Sequence, residues 1–199
     1  MMGVILAGGK SKRFGEDKLL YRVDGKPLIL HTTERLLKAR LVEDVLIVTS
    51  KERREKFEDL GFSVLVDELL IGPIGGVYIS LKEVGDAFVV AGDMPRINPS
   101  FVDLIIGTFY KSESLVCVPV WENGYMEPLH AAYSKDFAEV LRKAIEREEY
   151  SLNQAIRGVN FCEIEIENLP PEFGESLFNI NKKSDLKSAQ LLGQNHVLF

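Results

Sequence analysis

Short apolar runs alternate with amphipathic segments along this chain, and that alternation narrows the possible folds more than any other feature. Strands are expected over Gly3–Leu6, Asp44–Thr49, Ser63–Val66, Ala87–Ala91, Leu115–Val120 and Phe161–Ile166. Helices are expected over Pro27–Ala39, Glu52–Leu60, Ile74–Lys82, Pro99–Tyr110, Lys135–Arg147, Leu152–Arg157 and Ser184–Leu192. Several carry start signals: Pro27 suits a first helical position, Asn98-Pro99 sets a cap before a helix-opening proline, and Ser134 and Ser184 precede later helices. Such alternation builds a three-layer α/β/α fold around a mostly parallel sheet with right-handed crossovers. The 199 residues suffice for one domain spanning 1–199. No stretch reads as a tether: Asn168–Ser176, the longest without helix or strand signals, is expected to cross the surface before the last helix.

That architecture predicts where a ligand goes. In open α/β sheets it lies outside the carboxyl ends of the strands, where the strand order reverses. The segments expected on that edge are Ala7–Lys18, Thr49-Ser50-Lys51, Asp67-Glu68 and Gly92-Asp93-Met94-Pro95. Within the first, L-A-G-G-K-S-K-R-F-G-E-D-K (6–18), Gly8 and Gly9 offer amide groups with no side chain in the way, and Lys10, Lys12, Arg13 and Lys18 add positive charge. The guest this implies is a polyanion such as a nucleoside triphosphate, although the spacing is that of neither the P-loop nor the dinucleotide fingerprint.

The formal net charge of −6 argues against a general nucleic-acid binder, so an anion must be held by local charge. No apolar run approaches the ~18 residues that span a bilayer, and the N-terminus enters a strand instead of a signal sequence, which points to the cytoplasm. Cys117 and Cys162 read as small core residues, and His31, His130 and His196 are too scattered for a zinc site. The plain expectation for assembly is a monomer.

Asp93 closes an apolar run and stands before Met94-Pro95, which suits a carboxylate holding Mg²⁺ whose remaining ligands are water and phosphate; the competing reading is a turn aspartate. Asp67 ends its strand in the same way, just before G-P-I-G-G (72–76), a segment equally compatible with a tight strand-to-helix turn. Lys18 and Arg13 suit phosphate groups, against the alternative of solvated surface cations. Pro128 excludes a helix over Glu127–Tyr133, leaving an edge strand with His130, which reads as structural sooner than catalytic. Asn179 and Asn181 alternate in F-N-I-N (178–181), so both amides face one side, unless Asn181 or Ser184 serves as a helix cap.

Taken together, L-A-G-G-K-S-K-R-F-G-E-D-K, Asp67, G-P-I-G-G, G-D-M-P (92–95) and F-N-I-N resemble, in order and over nearly the whole chain, the molybdenum cofactor guanylyltransferases. That resemblance implies a Rossmann-like nucleotidyltransferase fold and transfer of GMP from GTP to the phosphate of molybdopterin, with Mg²⁺ required and pyrophosphate released. It implies that Leu6, Ala7, Gly8 and Gly9 meet the guanine and phosphates, with Lys18 on phosphate and Asp93 on the metal. It also implies that Thr49 lines the nucleotide pocket where the family often has Asn, that Asp67 contacts the nucleotide, that Gly75 helps shape the purine pocket, and that Asn179 and Asn181 face the pterin. Molybdoenzymes or other proteins of cofactor synthesis are the implied partners. The chain departs from the family's usual Thr-Pro-Glu after the second Asn, with Lys182-Lys183-Ser184 instead. Cobinamide phosphate or a sugar phosphate is the alternative acceptor, and a GTP- or cofactor-binding module without turnover is the alternative class. Ala7-Gly8-Gly9 favours GTP, since related cytidylyltransferases more often read L-A-A-G.

Overall fold

The computed structural model describes residues 1–9 and 14–186. The strands are β1 (Met2–Leu6), β2 (Arg22–Val23), β3 (Lys26–Pro27), β4 (Val45–Thr49), β5 (Ser63–Val66), β6 (Ala87–Ala91), β7 (Val116–Val120), β8 (His130–Tyr133) and β9 (Phe161–Glu165). The α-helices are α1 (Leu28–Leu36), α2 (Arg54–Glu58), α3 (Pro73–Val84), α4 (Pro99–Lys111), α5 (Phe137–Glu146), α6 (Leu152–Arg157) and α7 (Pro171–Glu175). A seven-stranded sheet runs in the order β5-β4-β1-β6-β8-β7-β9. It is parallel except for β8, which pairs antiparallel with β6 and β7.

Both faces of the sheet are covered, which is why its strands read as continuous apolar runs. Alternate residues go to opposite sides: Ile5, Phe88, Val90 and Cys117 face Leu28, Leu36, Phe101 and Ile105, from α1 and α4. Val4, Val89, Val116 and Val118 face Ile74, Val77, Leu141 and Ile156, from α3, α5 and α6. Three layers result, as the alternation predicts. From β1 the chain winds through β4 to β5, then crosses to β6 on the other side of β1, so the strand order reverses between β1 and β6.

Several details differ from the sequence reading. β8 lies inside the sheet instead of at its edge, because the β7–β8 connection folds back between β7 and β6. The hairpin of β2 and β3 was not anticipated, although Asp24-Gly25, with φ of 48° and 82°, is a two-residue turn in the left-handed region. Pro27 precedes α1 with extended ψ of 141° instead of opening it. Asn98 does cap α4, accepting from Ser100 N–H at 3.0 Å, whereas Ser134 accepts from Asp136 N–H at 3.2 Å, just ahead of α5. Residues 166–175 are not a bare crossing: Ile166–Asn168 forms a 3-10 turn and α7 follows. Of the expected last helix, residues 183–186 are helical and 187–192 lie outside the described residues.

Cys117 and Cys162 are free thiols, yet they stand opposite one another in the β7–β9 register. Burial, and next the neighbouring Cys162, push the Cys117 thiol up, so it stays a protonated core residue. Among the described residues no helix is long and apolar enough to cross a membrane. Gly72 leads into α3 at φ 90° and ψ −164°, a region nearly reserved for glycine, so Gly72→Ala is expected to lower stability by about 1–3 kcal/mol in denaturant unfolding.

Candidate active site

The reversal of strand order between β1 and β6 sets the two segments that follow them side by side. Lys18 and Asp93 meet there: the lysine ammonium donates to Asp93 Oδ2, and both side chains are about 15% exposed. Three local features bring them together. Asp17 caps the 3-10 turn Lys18–Leu20 through Leu19 N–H at 3.3 Å, which aims Lys18 across the crevice. Leu19, buried beneath that turn, lies so close to Gly92 that a Cβ there would stand 3.1 Å from Leu19 Cδ1. A side chain at the glycine of G-D-M-P would press on Leu19 and Ile5, and the glycine's carbonyl accepts Thr32 Oγ1 at 3.0 Å.

The loop after β1 starts with a buried residue and continues with two exposed ones. Ala7 N–H donates to Val48 C=O at 2.7 Å, and Ala7 C=O accepts from Thr49 Oγ1 at 3.0 Å and from Arg53 Nη1. Gly8 and Gly9 then reach solvent, and a Cβ at either position would meet nothing within 4 Å. Only Gly9, at φ 92°, requires glycine for backbone reasons, so the bareness of Gly8 leaves room for something else. Arg13, together with Lys10 and Lys12, lies outside the described residues.

Asp67 and the G-P-I-G-G segment form the next wall. Asp67 Oδ1 accepts from Leu69 N–H at 3.0 Å and Leu70 N–H at 3.2 Å, so one of its oxygens holds the turn. Pro73 opens α3, one residue earlier than expected. Gly76 packs on Leu6, whose Cδ2 would lie 3.0 Å from an added Cβ, and Gly75 packs against Ile71 and the Asp67 carboxylate. These glycines bring the N-terminal turn of α3 down onto the end of β1. Thr49 is 1% exposed and lies beneath the loop, its hydroxyl donating to Ala7 C=O. Thr49→Val is expected to weaken nucleotide affinity only a few-fold, about 1 kcal/mol, in equilibrium dialysis, since Arg53 still holds the same carbonyl.

The C-terminal segment closes the crevice from the far side. Ile180 is buried and its N–H donates to Asp93 C=O at 3.0 Å, so the alternating pattern sets Asn179 and Asn181 on the other side of that segment. Just ahead of the turn at 183–186, Asp185 Oδ2 accepts from Asn181 N–H at 2.8 Å and Lys182 N–H at 3.0 Å. Lys183 reaches back to Glu16 at 2.7 Å and lies over the Phe14 and Tyr21 rings, tying this segment to the loop.

His130 takes no part in the crevice. It is fully buried between the rings of Phe88 and Phe101, each centroid 5.3 Å away, with Nε2 3.4 Å from Ser176 Oγ. Burial lowers its pKa to about 3, so it is neutral. Two contacts near the crevice were not assigned from the sequence. Arg53 holds Asp17 and Ala7, whereas Glu127, in the β7–β8 connection, accepts Trp121 Nε1–H at 2.8 Å. Desolvation raises the Glu127 carboxyl, with the Trp121 bond pulling the other way. Arg53 sits in K-E-R-R, where nothing in the sequence separates a buried arginine from its solvated neighbours.

Among the described residues no three acidic, histidine or cysteine side chains cluster as a metal cage. Asp93 offers a single carboxylate beside the Gly8-Gly9 backbone, and that donor fits a divalent ion that takes its other ligands from phosphate and water.

Comparison with known proteins agrees with this geometry. Residues 3–161 match the model of the MobA-like NTP transferase domain. A protein of Thermococcus sibiricus named probable molybdenum cofactor guanylyltransferase is 63% identical, with 94% of this chain and 96% of the relative covered. One of the same name from Thermococcus gammatolerans is 59% identical over 94% of this chain and 97% of its own length. The solved structure of molybdopterin-guanine dinucleotide biosynthesis protein A from Archaeoglobus fulgidus superposes with a TM-score of 0.84 at 26% identity, covering 97% of this chain and 98% of that one. A chain with this sheet, this crevice and these relatives belongs to the MobA-like NTP transferase family, among its molybdenum cofactor guanylyltransferases.

Proposed function

We propose that this protein transfers GMP from GTP to the phosphate of molybdopterin, releasing pyrophosphate, and that the whole chain works as one nucleotidyltransferase domain. The observation that carries the reading is the Lys18–Asp93 pair at the reversal of strand order, beside the bare Gly8-Gly9 backbone, in a member of this family. The names of the relatives supply the base and the acceptor.

An oxygen of the acceptor phosphate attacks the α-phosphorus in line, a P–O bond forms to it, and the bond to the β-phosphate oxygen breaks. A phosphate monoester is already largely ionised near neutral pH, so the chain needs no strong general base and must supply alignment and positive charge. The Gly8 and Gly9 amides orient the phosphates, and Leu6, Ala7 and Gly75 bound the nucleotide side, with Asp67 fixing the turn above them. Lys18, with Arg13, neutralises charge that builds on the departing pyrophosphate. Asn179 and Asn181 face the acceptor. Asp93 would hold Mg²⁺, which would supply charge neutralisation at the phosphates, and Lys18 would then pair with phosphate instead of the carboxylate. Reaction on soluble substrates fits a cytoplasmic monomer that hands its product to other proteins of the pathway.

Incubation with GTP, CTP or ATP plus molybdopterin, with mass detection of the dinucleotide, tests the reading. The expected product is the guanine dinucleotide, dominant over the others. A dominant cytosine product would overturn the base, and a product only with cobinamide phosphate or a sugar phosphate would overturn the acceptor.

A further inference from the structure

We propose that Arg53 is a positioning residue for the transfer, a clasp that aims the phosphate-binding amide and the reactive lysine from beneath the loop; this rests on the reading of the crevice given above. Arg53 lies in the 3-10 turn Lys51–Arg53 after β4, with its side chain 14% exposed. Its guanidinium makes three hydrogen bonds. Nε donates to Asp17 Oδ2 at 3.0 Å, Nη2 to Asp17 Oδ1 at 2.5 Å, and Nη1 to Ala7 C=O. The fork is therefore bidentate on a carboxylate at one end of the loop and bonded to a backbone carbonyl at the other. The Phe57 ring, 5.1 Å away, supports its flat face.

Each contact has a consequence for the crevice. A trans peptide unit is planar, with its C=O and N–H pointing in opposite directions. Holding Ala7 C=O inward, with Thr49 Oγ1 as second donor, therefore turns Gly8 N–H outward, away from Thr49 and Arg53, on an exposed residue with no side chain to crowd it. Holding Asp17 keeps in place the residue that caps the Lys18–Leu20 turn, and that turn carries Lys18 to Asp93. A single side chain so fixes the relative placement of an anion-binding N–H and an ammonium that are ten residues apart in sequence. Arg53 itself is below the crevice and meets no substrate. A lysine has one ammonium and no fork, so it can hold Asp17 or Ala7 C=O but not both in this geometry.

The test compares wild type with Arg53→Met, Arg53→Lys and Asp17→Asn, reading nucleotide affinity by equilibrium dialysis with GTP alone and steady-state KM and kcat for nucleotide and acceptor. Loss of the clasp in Arg53→Met is expected to weaken GTP binding and lower kcat/KM for GTP by about 10–100-fold, with the acceptor KM changed by less than about twofold. Arg53→Lys should recover part of the GTP affinity, and Asp17→Asn should lower kcat more than it changes GTP affinity, because only the Lys18 end is loosened. Circular dichroism and a thermal melt report folding of each variant; if Arg53→Met does not fold, Arg53→Lys against Asp17→Asn decides on the same readouts. Wild-type GTP affinity and kcat in a folded Arg53→Met, or in a folded Arg53→Lys if only that variant folds, would overturn the proposal. So would equal loss of nucleotide and acceptor parameters that only tracks the fraction of folded protein. Failure of the wild type to turn over any acceptor would count against the reaction, whereas the binding arm would still judge Arg53 separately.

Discussion

Asp93→Asn is expected to lower kcat/KM for guanylyl transfer by about 10³-fold or more while leaving the fold and its melting temperature nearly unchanged. The substitution keeps the size of the side chain and one oxygen that can accept from the Lys18 ammonium, so the contact across the reversal of strand order survives. What it removes is the negative charge. Without it the divalent ion proposed for the crevice would have no carboxylate to hold it, and the phosphates would approach with Lys18 and the loop as their main source of positive charge. The packing that sets Asp93 in place involves its neighbours: Gly92 under Leu19, Met94 buried at 1% exposure, and Asp93 C=O accepting from Ile180 N–H. None of these depends on the carboxylate charge. Pyrophosphate release measured across a Mg²⁺ titration, beside circular dichroism, checks this; near-normal turnover in a folded Asp93→Asn would remove Asp93 from the reaction.

Phe101→Ala is expected to cost about 3–5 kcal/mol of stability, the range for truncating a fully buried aromatic residue. Phe101 is 0% exposed and stacks between His130, at 5.3 Å, and Phe173, at 4.9 Å. It therefore joins β8, α4 and α7, three elements that come together from distant parts of the chain. Beside it Ser176 Oγ accepts Asn98 N–H at 2.8 Å and lies 3.4 Å from His130 Nε2. This cluster anchors the segment leading from α7 to Asn179 and Asn181. Loss of the ring should thus do more than open a cavity: the acceptor side of the crevice should loosen before the sheet does. Urea unfolding gives the stability loss, and hydrogen exchange should show Ile180 N–H, bonded to Asp93 C=O, exchanging faster in the variant. Unchanged protection at Ile180 would mean that the C-terminal segment is held by other contacts.

What the sequence made legible, and what it did not, follows from the reach of each signal. Buried parallel strands such as β1, β4, β6 and β7 announce themselves because both faces are apolar, and Asn98-Pro99 marks a helix start with two residues. The Gly8-Gly9 loop, Lys18 and Asp93 could be placed at the strand ends from the sequence because that placement needs only the order of elements. By contrast, Leu-His-Ala-Ala-Tyr looked like an edge strand: a short run after a proline says nothing about which two strands it will separate. The β2–β3 hairpin was readable from Asp24-Gly25 but was hidden beside the charged loop and the helix that follows. The resemblance aligns Thr49 by position and not by side-chain direction, so the bond from its hydroxyl to Ala7 C=O was not legible. Arg53 was beyond reach of the sequence, since its partners Ala7 and Asp17 lie 46 and 36 positions away.

The central claim is that the crevice joins the α-phosphate of GTP to a phosphate of the pterin acceptor by direct displacement. Incubation with GTP radiolabelled at the α- or at the γ-phosphorus, with molybdopterin as acceptor, follows both halves of that displacement at once. The expected result is α-label in the pterin dinucleotide, γ-label in pyrophosphate, in equal amounts, and neither in Asp93→Asn. Release of γ-label as orthophosphate, or α-label accumulating as free GMP with no pterin product, would contradict it.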